Sequence, residues 1–161
     1  MNHDSKKAFD ELVIVANALV SLVASYDTSG ATLAYICYQL AKNPVIQDHV
    51  REEVEEIIED DSSRNLSYDD LSRMAYVDQV ISETLRFHNI AATLQRLTEK
   101  DYKIPGSDLV LPKDTTVVIN PLAIYFDPKH YSNPHEFDPD HFSKEAKAKR
   151  HPKVTSKDTY L

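Results

Sequence analysis

From about Lys7 to Ala41 the residues are helix-compatible and strongly apolar, and no other stretch constrains the fold so much. Asn43-Pro44 stops this helix and starts the next, because proline is tolerated in a first helical turn but not in an interior. A helix apolar on most of its surface is predicted to lie in a core, so the rest of the chain has to provide cover. Its most apolar run, Leu12 to Ala24, is interrupted by Asn17 and Ser21. Read alone, that run falls short of the roughly 18 apolar residues a membrane span requires. Asp4, Asp10 and Glu11 ahead of it also argue against a signal peptide, so no targeting segment or membrane anchor is expected.

Pro44 to Glu59 reads as a second helix, with Val45, Val50, Val54, Ile57 and Ile58 on one stripe and a run of glutamates elsewhere that reads as a solvated face. After a polar loop at 60–65, Ser67-Tyr68-Asp69-Asp70 has the form of a capping box for a short helix. A further helix is predicted over Tyr76 to His88. Beyond it the texture changes to short β-compatible runs, Thr93–Leu97, Tyr102–Ile104, Leu109–Leu111 and Thr115–Ile119, punctuated by turn residues such as Pro105-Gly106. Residues 121–161 are rich in Pro, Asp, His, Tyr and then charge, which predicts irregular structure. The fold class is therefore mainly α with a small β region (α+β), in one partial domain over 1–161.

Composition removes several function classes. With 161 residues the chain is long enough for a core, and 18 Lys+Arg against 26 Asp+Glu leave no basic stripe for nucleic acid. Two glycines in all rule out a Gly-rich phosphate loop. The single cysteine, Cys37, allows no disulfide framework, fits a reducing or cytosol-facing setting, and is expected to pack as a small hydrophobe. His130, His135 and His141, with Asp138 and Asp140, match no metal-ligand spacing, so no metal site is assigned.

Two groups of residues stand out for chemistry. Glu83 and Arg86, at i and i+3, emerge from one helical face and can form a charge-assisted pair; among Val77, Val80, Ile81, Leu85 and Phe87 that pair is partly buried and requires further partners. Asp27-Thr28-Ser29 interrupts the long apolar helix. A carboxylic acid beside a hydroxyl can relay protons, and Thr28 can bond back to the carbonyl of Ala24. The plainer alternative is a polar edge where the helix surfaces. Gly30 next to it hints at close packing or a ligand.

In order, Ala24-Ser25-Tyr26-Asp27-Thr28-Ser29, Glu83-Thr84-Leu85-Arg86, Arg96, Asp101-Tyr102-Lys103-Ile104-Pro105-Gly106 and Asn133 to Phe142 resemble the C-terminal half of a microsomal cytochrome P-450 of the animal or insect xenobiotic-metabolising type. The resemblance covers about Phe9 to Pro152. It implies a haem-dependent monooxygenase that inserts one oxygen atom from O2 into a small apolar substrate, fed by an NADPH-dependent reductase at the cytosolic face of the endoplasmic reticulum membrane. It further implies that Leu12 to Leu40 is the long central helix, with Asp27 and Thr28 as the catalytic acid–alcohol pair. Glu83 and Arg86 would form the buried core pair, Arg96 would meet a haem propionate, and Tyr26, Ala91 and Leu94 would line the substrate pocket.

Four departures accompany the resemblance. Ser25 replaces the family's glycine before the acid–alcohol pair, and His141 stands where the third member of a Glu-Arg-Arg network is expected, which predicts a weaker network. The usual proline after the Glu-x-x-Arg helix is missing from Phe87-His88-Asn89-Ile90. After His151-Pro152 no cysteine follows, so the loop bearing the iron-ligating thiolate is not within these residues. The alternative reading is accordingly a non-catalytic truncated or degenerate relative without an iron ligand. A third reading, a small helical interaction module, draws only on the acidic helix over 51–61.

Overall fold

The computed structural model describes residues 11–60, 66–90 and 93–150. Helix α1 runs Glu11–Lys42 and α2 runs Pro44–Asp60, with Asn43 alone between them. The short helix α3, Tyr68–Arg73, opens on the capping box. Ser67 Oγ accepts from the Asp70 amide at 3.2 Å, and the Asp70 carboxylate accepts from the Ser67 amide at 2.9 Å. Helix α4, Ala75–Phe87, then carries the Glu-x-x-Arg pair.

Two small antiparallel sheets follow. Strands β1, Leu94–Leu97, and β4, Thr116–Ile119, pair with Leu94 opposite Ile119. Nested between them, β2, Tyr102–Lys103, pairs with β3, Val110–Leu111. The turn after β2 places Gly106 at φ +76, the left-handed conformation a Pro-Gly turn requires of its second central residue.

Where irregular chain was expected after Pro121, the structure has three short helical segments: α5, Pro121–Tyr125, a 3₁₀ turn, Pro139–Phe142, and α6, Lys144–Arg150. The first two begin on a side-chain acceptor followed by proline at the first helical position. Asn120 caps the Leu122 amide and Asp138 caps the Asp140 amide.

Helix α4 is the hub, packing against the 3₁₀ turn, α1, α2 and α5. The buried set around it holds more polar than apolar side chains: Ile57, Met74, Val80 and Tyr131 beside Gln39, Asp70, Glu83, Thr84, Arg86 and His141. The expectation that α1 lies in a core is corrected, because every residue from Glu11 to Gly30 is exposed. Among the described residues α2 and α4 reach only its C-terminal part, and a long helix is covered only where partners meet it. The membrane reading changes too. An 18-residue window of α1 with mean hydropathy 1.5 has the length and apolarity of a bilayer span, which the shorter Leu12–Ala24 run missed by stopping before Ser25. A core helix meets the same test.

Candidate functional site

The most ordered chemistry in the molecule surrounds Arg86. Its side chain is 1% exposed and uses all five of its N–H donors. Nε and Nη2 grip the two oxygens of Glu83 at 2.7 and 2.6 Å, the bidentate fork for which guanidinium is shaped. Nη1 donates to the carbonyls of Tyr125 and Pro134 at 2.7 and 2.9 Å, and Nη2 also donates to Glu136 O at 3.3 Å. The rings of Phe87, Phe126 and Tyr131 lie 5.5, 5.5 and 4.9 Å from the guanidinium carbon, within cation–π range. These are the further partners that a buried ion pair demands if desolvation is to be offset.

Glu83, fully buried, also accepts from the Asp138 amide at 3.0 Å and meets His141 Nδ1 at 3.1 Å. His141 Nε2 lies 2.6 Å from Ser132 O. Both partners of this ring are acceptors, so it satisfies both only when both nitrogens carry hydrogen. Arg150 of α6 covers the arrangement, stacked 4.1 Å over Tyr131 and donating to the carbonyl of His141. An arginine at this position would have five donors, where a histidine has at most two.

Next to this centre, Glu53 of α2 departs from the reading of its charge run as a solvated face, which Arg51, Glu52, Glu55 and Glu56 keep. Its carboxylate accepts from the amides of Tyr76 and Val77 at 2.8 and 2.9 Å, capping α4 from another helix. Met74, at the N-cap itself, makes no side-chain cap hydrogen bond. Burial first, then the carboxylates of Asp140, Asp138 and Glu53, push the Tyr76 phenol above its ordinary value.

A second feature is a cleft of ≈ 890 Å³ between α1 and α4. Thr28, Ser29 and Thr32 give it hydroxyls, and Leu33, Ile81 and Leu85 make its walls mostly apolar. Thr28 Oγ1 donates to Ala24 O at 2.6 Å, the back-bond expected of a mid-helix threonine, and Thr32 does the same to Thr28 O at 2.8 Å. With its hydrogen committed, the Thr28 oxygen presents lone pairs to the cleft.

The other sequence-derived residues are distributed differently. Tyr26 is 78% exposed and, two positions from Thr28, projects from the opposite side of α1. Leu94 and Arg96 share one face of β1, and Arg96 Nη1 donates to Gln95 O at 2.8 Å. Ala91 lies outside the described residues. Gly30 has nothing within 4 Å of where a Cβ would stand among the described residues, so it marks no close approach. Cys37 is exposed rather than packed, and among the described residues no His, Cys, Asp or Glu cluster is arranged to hold a metal.

Sequence reasoning missed Glu53 and the pairing of Gln39 with His88. The signal for Gln39 was present, since a lone amide at the end of an apolar helix falls on the same face as Thr28 and Thr32.

A hub helix holding a bidentate Glu–Arg pair against an irregular downstream segment, beside a long helix interrupted by an acid and an alcohol, defines a structural centre joined to a cleft. The chain belongs to the cytochrome P450 family: the family model for cytochrome P450 matches residues 1–156. It is 46% identical over 140 residues to cytochrome P450 6B6 of Helicoverpa armigera, covering 87% of this chain and 28% of that protein. It is 44% identical over 151 residues to cytochrome P450 6B2 of the same insect, covering 94% and 30%. With cytochrome P450 3A6 of Oryctolagus cuniculus it shares 37% over 151 residues, covering 94% and 29%. The chain spans under a third of the length of these relatives.

Proposed function

We propose that these residues form the central-helix and Glu-x-x-Arg part of a haem-dependent monooxygenase that inserts one oxygen atom from O2 into a small apolar organic substrate. An NADPH-dependent reductase supplies the electrons, at the cytosolic face of the endoplasmic reticulum membrane. The observation that carries this reading is the Thr28 hydroxyl on the wall of a mostly apolar cleft.

The residues present fit part of a haem site. Hydroxyl-bearing α1 and apolar α4 suit one face of a flat, largely apolar macrocycle, and Arg96 offers a cation for a carboxylate edge. No residue lining the cleft would offer haem iron a sulfur ligand, since Cys37 is not among them. When bound, haem supplies the activation of O2. The chain's own contribution is to give the cleft apolar walls with Leu33, Ile81 and Leu85 and to present the Thr28 oxygen as an acceptor, with Asp27 next to it in sequence as the proton source. The Glu83–Arg86 centre holds α4 against residues 125–141 and so fixes the floor of the cleft.

The test is a chimaera in which residues 11–150 replace the matching stretch of cytochrome P450 6B2. It is expected to take up haem, to show a thiolate-type Soret band with carbon monoxide and to oxidise an apolar substrate. Thr28→Ala is expected to keep the band and lower product formed by about 10²-fold, the scale of one positioned proton-transfer group. Unchanged turnover in that variant would overturn the assignment of Thr28.

A non-catalytic relative that holds no iron is the second reading, and the exposed position of Cys37 away from the cleft favours it. Under that reading the 161-residue chain mixed with haem, reductant and carbon monoxide gives no thiolate-type band. A band that disappears on Cys37→Ala counts against it.

A further inference from the structure

Gln39 is the one buried residue of α1, 2% exposed, and the orientation of its amide follows from an atom whose role is fixed. The backbone carbonyl of Gln39 can only accept, so the Asn43 side-chain atom 2.8 Å from it is the amide nitrogen. That nitrogen also lies 3.2 Å from the Gln39 side chain, which therefore turns its oxygen toward Asn43. The remaining end of Gln39, the Nε2 donor, points at His88 Nε2 from 2.7 Å. A donor faces this ring nitrogen, so the nitrogen accepts and the imidazole is neutral, with its hydrogen on Nδ1.

The same ring lies flat on Tyr35 of α1, centroids 4.2 Å apart and planes 4° from parallel. Tyr38 at 6.1 Å and Phe87 at 5.4 Å meet it edge-on. His88 follows the last residue of α4, so the hydrogen bond and the stack both join α4 to the covered end of α1.

We propose that His88 is a proton-operated latch between α1 and α4: neutral, it receives Gln39 and stacks on Tyr35; protonated, it loses its acceptor and releases the end of α1. The titratable groups facing it are Tyr35, Tyr38 and Lys42, all on α1, and the lysine opposes a second positive charge. Burial first, and Lys42 second, hold the imidazole below the ordinary histidine value. The unfolded chain therefore binds this proton more readily than the folded one. The latch is fully present above the ordinary value of about 6.5 and is lost as pH falls through the lower folded value. The inference does not depend on the monooxygenase reading.

Thermal unfolding of the full chain followed by circular dichroism tests it. For the native sequence the midpoint is expected a few degrees lower at about pH 5.5 than at about pH 7.5. His88→Phe keeps a ring on Tyr35 but cannot titrate, so the shift shrinks relative to the native chain, whose other six of seven histidines are unchanged. Gln39→Glu turns the donor into a charged acceptor, favours the imidazolium and reverses the difference. An acid shift in His88→Phe equal to the native one overturns the proposal. So does a ring-nitrogen NMR spectrum of the native chain showing both His88 nitrogens protonated at about pH 7.5, a measurement that requires no variant to fold.

Discussion

Arg86 has no spare donor, and that makes its replacement harsher than the loss of one salt bridge. Arg86→Ala strands the Glu83 carboxylate among buried groups, and Glu83→Ala strands the guanidinium; each is expected to destabilise by about 3–5 kcal/mol. His141→Ala removes two hydrogen bonds but no member of the bidentate pair, so about 1–3 kcal/mol is expected. Urea unfolding midpoints of the three variants give the ranking, and a His141 variant less stable than the Arg86 variant would contradict it. The Glu83–Arg86 contact was legible because i and i+3 share a helix face. Arg86's remaining partners were not, since the carbonyls of Tyr125, Pro134 and Glu136 carry no sequence signature.

At the scale of elements, capping decides where helices begin. Glu53 acts on α4 as an N-cap side chain would, although it comes from α2, and Glu53→Ala is expected to destabilise by about 1–2 kcal/mol. Amide exchange at Tyr76 and Val77 should quicken more than at Val80. The α3 box adds an acid dependence. The Ser67 hydroxyl and then its backbone amide hold the Asp70 carboxyl below the ordinary carboxylate value. Its contribution is therefore complete above the ordinary carboxylate range and is lost as pH falls through the lowered value, seen as faster exchange of the Ser67 amide in acid. Local chemistry made the α3 box, the Asn43-Pro44 break and the Pro105-Gly106 turn readable in advance. Asn120-Pro121 and Asp138-Pro139 carried the same kind of signal, but their Pro- and His-rich surroundings read as irregular. Glu53 was unreadable for the opposite reason, because one glutamate in a run of them looks solvated until its partner helix is in place.

The whole molecule is dominated by the uncovered half of α1, where Leu12, Leu19, Val20, Leu22 and Val23 are each more than half exposed. An apolar stripe of this length drives association in water. The 161-residue chain is expected to sediment as oligomers that grow with concentration, and Leu19→Asn with Val23→Asn to reduce them. A monomer at every concentration would refute this. That α1 belongs against something was evident from its composition; which surface meets it depends on neighbours that periodicity alone does not name.

The reach of Arg86 also sets a timetable. Its carbonyl partners lie 39, 48 and 50 residues downstream. At roughly 5–20 residues per second of synthesis, α4 leaves the ribosome some 2–10 seconds before the last of them. Through that interval the Glu83–Arg86 pair lacks its downstream carbonyl partners. Residues 125–141 can therefore close over it only after α4 has emerged, and translation speed across that stretch governs how long the charged face of α4 stays open to other molecules.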